Sequence, residues 1–310
     1  MKEIKIKSAY QFFKIAHECK VNRNHCGEIE FYRGHSDKEW RLLPSIYRQH
    51  MLSFEEDLIN EFIRRRPGEF EDTHGLFNVL AKMQHYGLHT RLLDVTQNPA
   101  VALYFACFDN WDKDGEIFIF KEHLDDLPNN VVLDMITEFY IRNRDEGGNY
   151  SIKSYYDHML QLHSKRDIDR AFYYITNGYY CIARPRIISE RILRQAGSFM
   201  FFVDEVCPQP NCDNHKCIRK QRNECEKDNI PKKLEDKVEI IGVKRCLKDI
   251  TDLHIVNEQY GNRYIIQAKD KEKIISELQT IGITKAFLFP ELNSEGEDIM
   301  DDYYRRVGKK

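Results

Sequence analysis

Gln84-His85-Tyr86-Gly87-Leu88-His89-Thr90-Arg91-Leu92-Leu93-Asp94-Val95-Thr96-Gln97-Asn98-Pro99-Ala100-Val101-Ala102-Leu103-Tyr104-Phe105-Ala106-Cys107 decides how this chain is read. Three pieces follow one another. His85-Tyr86-Gly87 is a turn, with Gly87 free to take a positive φ. Thr90 to Val95 is a short β-prone run whose Leu92, Leu93 and Val95 are apolar. Thr96 to Asn98 offers caps, and Pro99 suits the first turn of a helix. That helix buries Val101, Ala102 and Phe105 at three- and four-residue spacing. Polar residues (His85, His89, Arg91, Asp94, Thr96, Asn98) therefore gather at a turn–strand–helix junction, where sites are commonly built.

Upstream stand Glu30-Phe31-Tyr32-Arg33-Gly34-His35-Ser36 and Trp40-Arg41-Leu42-Leu43-Pro44-Ser45-Ile46-Tyr47-Arg48. Together with the central motif they resemble the FRG domain, named for a Phe/Tyr-Arg-Gly motif. Arg194-Gln195-Ala196-Gly197-Ser198-Phe199 and the stretch from Gly282 to Leu292 resemble later segments of that family. The family is mostly bacterial and phage-associated.

Working outward, Ser8 caps a first helix and Ile29 to Arg33 alternates as a strand that Gly34 ends. Phe54 to Arg66 and Phe77 to His85 read as helices, and Gly115 to Lys121 as the clearest strand. Residues 121–180 read as a largely helical segment. Tyr179 to Ala183, Gly197 to Val203, Lys237 to Val243, Arg263 to Ile266 and Lys285 to Phe289 read as strands, with a helix over Lys271 to Thr280. The organisation expected is one FRG-type unit over 1–310. Its motif-bearing core is 8–120, the remaining core strands and helix are 181–205 and 237–292, and 206–236 is a polar, Cys-rich excursion.

The order strand–Tyr-Arg-Gly, strand–Asp-x-Thr–helix, strand is also that of NAD-dependent ADP-ribosyltransferases, a more distant resemblance. It implies an α+β fold of small mixed or antiparallel sheets with flanking helices around a central cleft. It further implies that Arg33, Thr96 and Glu190 take catalytic positions. Tyr32, Arg33, Gly34, His85, Tyr86, Arg91, Asp94 and Gln195 are the candidates for holding NAD. The chemistry is coherent. An arginine at a strand end can hold pyrophosphate oxygens bidentately. A carboxylate can stabilise an oxocarbenium-like transition state, and a tyrosine such as Tyr86 or Tyr32 can stack on nicotinamide. Each residue also has a plainer role. Arg33 and Asp94 can form a buried ion pair, Asp94 can cap, Arg91 can be a surface charge, and Glu190 an exposed carboxylate. Gln195 can occupy the glutamate position, which leaves a binding fold without the activity. Two function classes follow. One is ADP-ribosyl transfer or NAD cleavage by a toxin or phage-defence effector. The other is a non-catalytic nucleotide- or protein-binding module.

Composition sets the bounds. The 310 residues suffice for a sizeable core, and the formal charge of −3 at pH 7 speaks against a general nucleic-acid binder. A nucleotide small molecule is the expected ligand, and no residue pattern names a macromolecular acceptor. No apolar run approaches membrane-spanning length and no apolar leader opens the chain, so a cytoplasmic setting with no membrane partner is expected. Nine cysteines are mostly scattered. Cys207, Cys212, Cys217 and Cys225 cluster in a lysine-rich stretch, which suits a structural zinc or merely contains free thiols. No P-loop, dinucleotide-binding glycine pattern or Gly-x-Ser-x-Gly elbow is present.

Overall fold

The computed structural model describes residues 2–21, 27–49, 51–142, 152–177, 180–185, 189–202 and 262–290. Its strands are β1 Lys2–Ile6, β2 Glu28–His35, β3 Leu92–Thr96, β4 Gly115–His123, β5 Tyr180–Ala183, β6 Gly197–Phe202 and β7 Asn262–Ile266. Its helices are α1 Ala9–Val21, α2 Ser45–Arg48, α3 Glu55–Arg65, α4 Leu76–His85, α5 Pro99–Cys107, α6 Asn130–Arg142, α7 Ile152–Met159, α8 Lys165–Asn177, α9 Glu190–Arg194, α10 Ala268–Thr280 and α11 Lys285–Leu288. All seven strands join one mixed sheet, in the order β1-β7-β4-β2-β3-β6-β5. The expected α+β class holds, but the small separate sheets become one. Only β1 and β7 run parallel.

The sheet has two wings. Eight registered pairs join β2 to β4, and five join β3 to β6. Between the wings β2 and β3 share one pair, Tyr32 with Thr96. One face carries two cores. On the β1–β2 wing, Tyr32, Ile117, Ile119 and Ile266 pack under α1, α5 and α10. On the other wing, Leu92, Phe199 and Phe201 pack under α4, α6 and α8. On the opposite face Phe31, Phe118 and Phe120 of the first wing meet Leu93, Val95, Met200 and Phe202 of the second, beneath Leu42, Leu43 and Ile46.

That shared core means the sheet is rolled. Tyr180 of β5 hydrogen-bonds Glu122 of β4, four strands away. A flat sheet would hold them roughly 19 Å apart at ~4.8 Å per strand. Burial raises the Glu122 carboxyl from 4.5 to about 7; the Tyr180 hydroxyl opposes the rise and Asp126 adds to it. The phenol of Tyr180 and the thiol of Cys181 are raised as well, chiefly by burial, and both feel Glu122. The fold therefore binds a proton that the unfolded chain gives up above 4.5. Stability conferred by this group is complete below that pH and is lost as pH rises through about 7. Glu122→Gln should stabilise by about 2 kcal/mol at about pH 8, once partial solvent access is discounted, and by nothing at about pH 4. Thermal melts of the two proteins across that range check it. A gap that does not change with pH refutes the buried carboxyl.

Local chemistry explains most elements. Ser8 Oγ accepts from Gln11 N, Asn98 Oδ1 from Ala100 N and Ser189 Oγ from Ile192 N, each opening a helix. Helix α5 is buried nearly all round rather than on one face, because α1 and α10 cover it. Two local expectations are corrected. Gly34 does not end β2, since pairing continues through His35 with Glu116. Lys285 to Phe289 is not a strand: Thr284 Oγ1 accepts from Phe287 N and caps the short helix α11. A short apolar run does not distinguish the two by periodicity alone. The lysine-rich N-terminus forms β1, the outermost of the described strands on its side of the sheet. The expected strand at Lys237 to Val243 lies outside the described residues. Among the described residues, no helix is long and apolar enough to cross a membrane.

Candidate functional site

The site lies where the wings part. Residues opposed across an antiparallel pair share a face, so Tyr32 and Thr96 point the same way. Arg33 points the other way, with its opposite residue Phe118. Arg33 and Thr96 therefore leave opposite faces of the sheet, and the single cleft expected to hold both is not formed. Beyond Thr96, β3 has no further registered partner in β2. Arg33 spans this gap: Nη1 donates to the backbone oxygen of Asp94 at 2.5 Å, and Nε to His35 Nε2 at 2.9 Å. The expected carboxylate–guanidinium pair is thus replaced by a bond to a strand carbonyl. Burial lowers the Arg33 guanidinium to about 10, against the pull of Asp94 and with some help from Arg48, so it stays charged at neutral pH. His35 is held well below its ordinary value by burial, then by Arg33 and Arg48, and its neutral Nε2 is free to accept. Among the described residues, Arg33 Nη2 has no acceptor.

The Asp94 side chain is exposed, and its Oδ1 accepts from Gln84 Nε2 at 3.0 Å. Gln84 Oε1 in turn accepts from Thr90 Oγ1, which itself accepts from Leu92 N at 3.2 Å. One glutamine at the end of α4 thereby fixes both the entry to β3 and the Asp94 carboxylate. His85 and Tyr86 continue from Gln84. His85 is half-buried with its ring edge-on to Tyr86, and Tyr86 is exposed against Phe62. Arg48, exposed at the end of α2, adds a second positive charge felt by both Arg33 and His35.

Several candidates serve the fold instead. Tyr32 is fully buried and donates to Glu30 Oε2 at 2.5 Å, so its ring cannot stack on a ligand. Gly34 lies under α5. Arg91 is no surface charge: it is fully buried and paired with Glu55. The Thr96 hydroxyl donates to Gln195 O at 2.6 Å and accepts from Asn98 N at 3.0 Å. Its proton is spent on chain geometry. Glu190 sits on the surface of α9, where Oε1 accepts from Arg194 Nη2 at 2.6 Å. Gln195 Nε2 donates to Leu288 O at 3.0 Å, tying α9 to α11. The structure thus joins Arg33 to Asp94 and Thr96 to Gln195, and leaves Glu190 on its own ion pair. Sequence reasoning passed over His35, Arg48 and Gln84. The two-residue step from Arg33 to His35 within a strand was the available signal.

Cys207, Cys212, Cys217 and Cys225 lie outside the described residues. Among the described residues, no three His, Cys, Asp or Glu side chains are grouped to hold a metal ion. No curated protein and no solved structure matches the chain. A family model matches residues 29–115, from within β2 to the first residue of β4, and so encloses Arg33, His35, Arg48, Gln84 and Asp94 but neither Glu190 nor Gln195. That model is the FRG domain, and residues 29–115, which carry Arg33, Arg48 and the Gln84–Asp94 bond, are what matches it.

Proposed function

We propose that the FRG segment is a nucleotide-binding module in which Arg33 holds a phosphate oxygen. The observation that carries this is the state of Arg33: a charged, half-buried guanidinium, fixed through Nε and Nη1, with Nη2 uncommitted among the described residues and Arg48 nearby. A preorganised planar cation beside a second one suits a pyrophosphate-bearing ligand. The Asp94 carboxylate accepts from Gln84 and still attracts Arg33, and Arg48 keeps the charge around Arg33 positive. NAD and ADP-ribose are the ligands to try first.

ADP-ribosyl transfer or NAD cleavage is the second reading, favoured by the order of motifs. It needs a carboxylate at the reacting sugar. Glu190 is engaged by Arg194, and Gln195 and Thr96 hold each other, so the geometry supports binding over turnover. The test is thermal stabilisation by NAD, ADP-ribose and inorganic pyrophosphate, alongside an assay for NAD consumption. At ~100 times Kd a ligand specific to the folded state adds about 2.7 kcal/mol, a rise of roughly 5 °C or more. Arg33→Lys, which keeps the charge but loses the planar fork, should abolish the rise. Stabilisation without consumption is expected. NAD consumption that survives in Arg33→Lys would contradict the assignment, as would no stabilisation by any of the three.

A further inference from the structure

We propose that the two loops at residues 36–41 and 109–114 form a preorganised docking surface for a cationic segment of a protein partner. The chain has two tryptophans, and both lie on these loops. Tryptophan is usually well buried, yet Trp40 is 45% exposed and Trp111 is 51% exposed.

The loops are sewn together, not loose. Lys38 N donates to Asp114 O at 2.8 Å, and Lys38 Nζ meets Asp114 Oδ2 at 3.1 Å. Asn110 Nδ2 donates to Ser36 Oγ at 2.9 Å. Beneath them Lys271 of α10 is fully buried, and its Nζ donates to Ser36 O at 2.6 Å, Asp109 O at 3.2 Å and Asn110 O at 2.9 Å. These bonds hold Asp109 and Asn110 at φ of 73° and 45°, a conformation non-glycine residues rarely adopt. Loops whose backbone is already fixed in place lose little entropy on binding.

Charge selects the partner. The loop Asp109-Asn110-Trp111-Asp112-Lys113-Asp114 carries three acids and one base, a net of −2, and Lys113 leans to Asp37 at 3.9 Å. Asp109 and Asp112 lie to either side of Trp111 and are exposed, whereas Trp40 stands between exposed Glu39 and Arg41, so the negative sign comes from the Trp111 loop. Indole faces bordered by carboxylates attract guanidinium and ammonium groups by cation–π and ion pairing together.

Because both tryptophans belong to this surface, intrinsic fluorescence reads it directly. The full chain is titrated with an octa-arginine peptide, an octa-glutamate peptide and a single-stranded oligonucleotide. Expected is saturable quenching with a blue shift for octa-arginine alone, largely lost at about 1 M salt, where the Debye length is ~3 Å. Trp111→Ala should weaken binding about tenfold or more, and so should Asp112→Lys. Both positions are exposed, so the variants should melt like the parent, which is checked alongside. Caesium should also quench the free protein better than iodide. An unchanged spectrum with octa-arginine, a response indifferent to salt or to both variants, a response to octa-glutamate or the oligonucleotide instead, or stronger iodide quenching would each overturn the proposal.

Discussion

Gly34→Ala is expected to cost at least ~3 kcal/mol and to lower the melting temperature by roughly 5–10 °C. A Cβ on Gly34 would lie 2.0 Å from Ala102 O and 2.6 Å from Ala106 N, both backbone atoms of α5. Gly115 on the neighbouring strand faces the same helix, and its Cβ would meet Ala106 O at 2.2 Å. Helix α5 thus rests directly on the backbone of β2 and β4, with Ala102 and Ala106 on its underside. No side chain can turn aside to relieve the clash, so the helix itself must lift from the core it shares with α1 and α10. Gly87, in the turn of the central motif, makes a useful contrast. Nothing lies within 4 Å of a Cβ there, but its φ is +88°, so Gly87→Ala should cost only the ~1–2 kcal/mol of left-handed backbone strain. Chemical denaturation of the two variants separates crowding from strain. A Gly34→Ala protein as stable as Gly87→Ala would mean that α5 does not pack as described.

This also fixes what was legible in the sequence and what was not. Local chemistry was readable: the Asn98-Pro99 helix start, the β-prone run before it, and the positive φ at Gly87 all follow from residue type and near neighbours. Gly34 was read through backbone freedom, and its true constraint is a helix about seventy positions later in the chain. The faces of Arg33 and Thr96 depend on which residue of β2 stands opposite which of β3. A one-residue difference in that register exchanges the faces, and no local signal sets it. Glu190 is the opposite case. A glutamate four residues before an arginine, just after a Ser cap, already spelled a surface helical pair. The motif order of an enzyme family outweighed that spacing.

Among the described residues, the ion pair of Arg91 and Glu55 is expected to give the largest electrostatic effect. Arg91 is fully buried and Glu55 is 2% exposed. Arg91 Nε lies 2.9 Å from Glu55 Oε1 and 3.0 Å from Oε2, while Nη2 donates to Oε2 and Nη1 to Phe202 O at 3.3 Å. Tyr140 and Phe201 approach the guanidinium at 5.4 and 5.5 Å from their ring centres. Three elements, α3, α6 and β6, converge on this one cation, which stands just ahead of β3. Glu55→Ala takes the bidentate carboxylate from a fully buried guanidinium, and Arg91→Ala leaves a buried carboxylate, so each should cost ~3–5 kcal/mol. The pair Glu55→Leu with Arg91→Met removes both charges and keeps much of the volume, and should recover most of that loss. A double-mutant cycle by denaturant unfolding measures the coupling. Single variants costing under ~1 kcal/mol would mean the pair is solvated. The double variant also separates scaffold from site. It should still be stabilised by NAD or ADP-ribose as the parent is, while Arg33→Lys is not. If the well-folded double variant loses that stabilisation and Arg33→Lys keeps it, the phosphate ligand is Arg91 and the site lies inside the second wing.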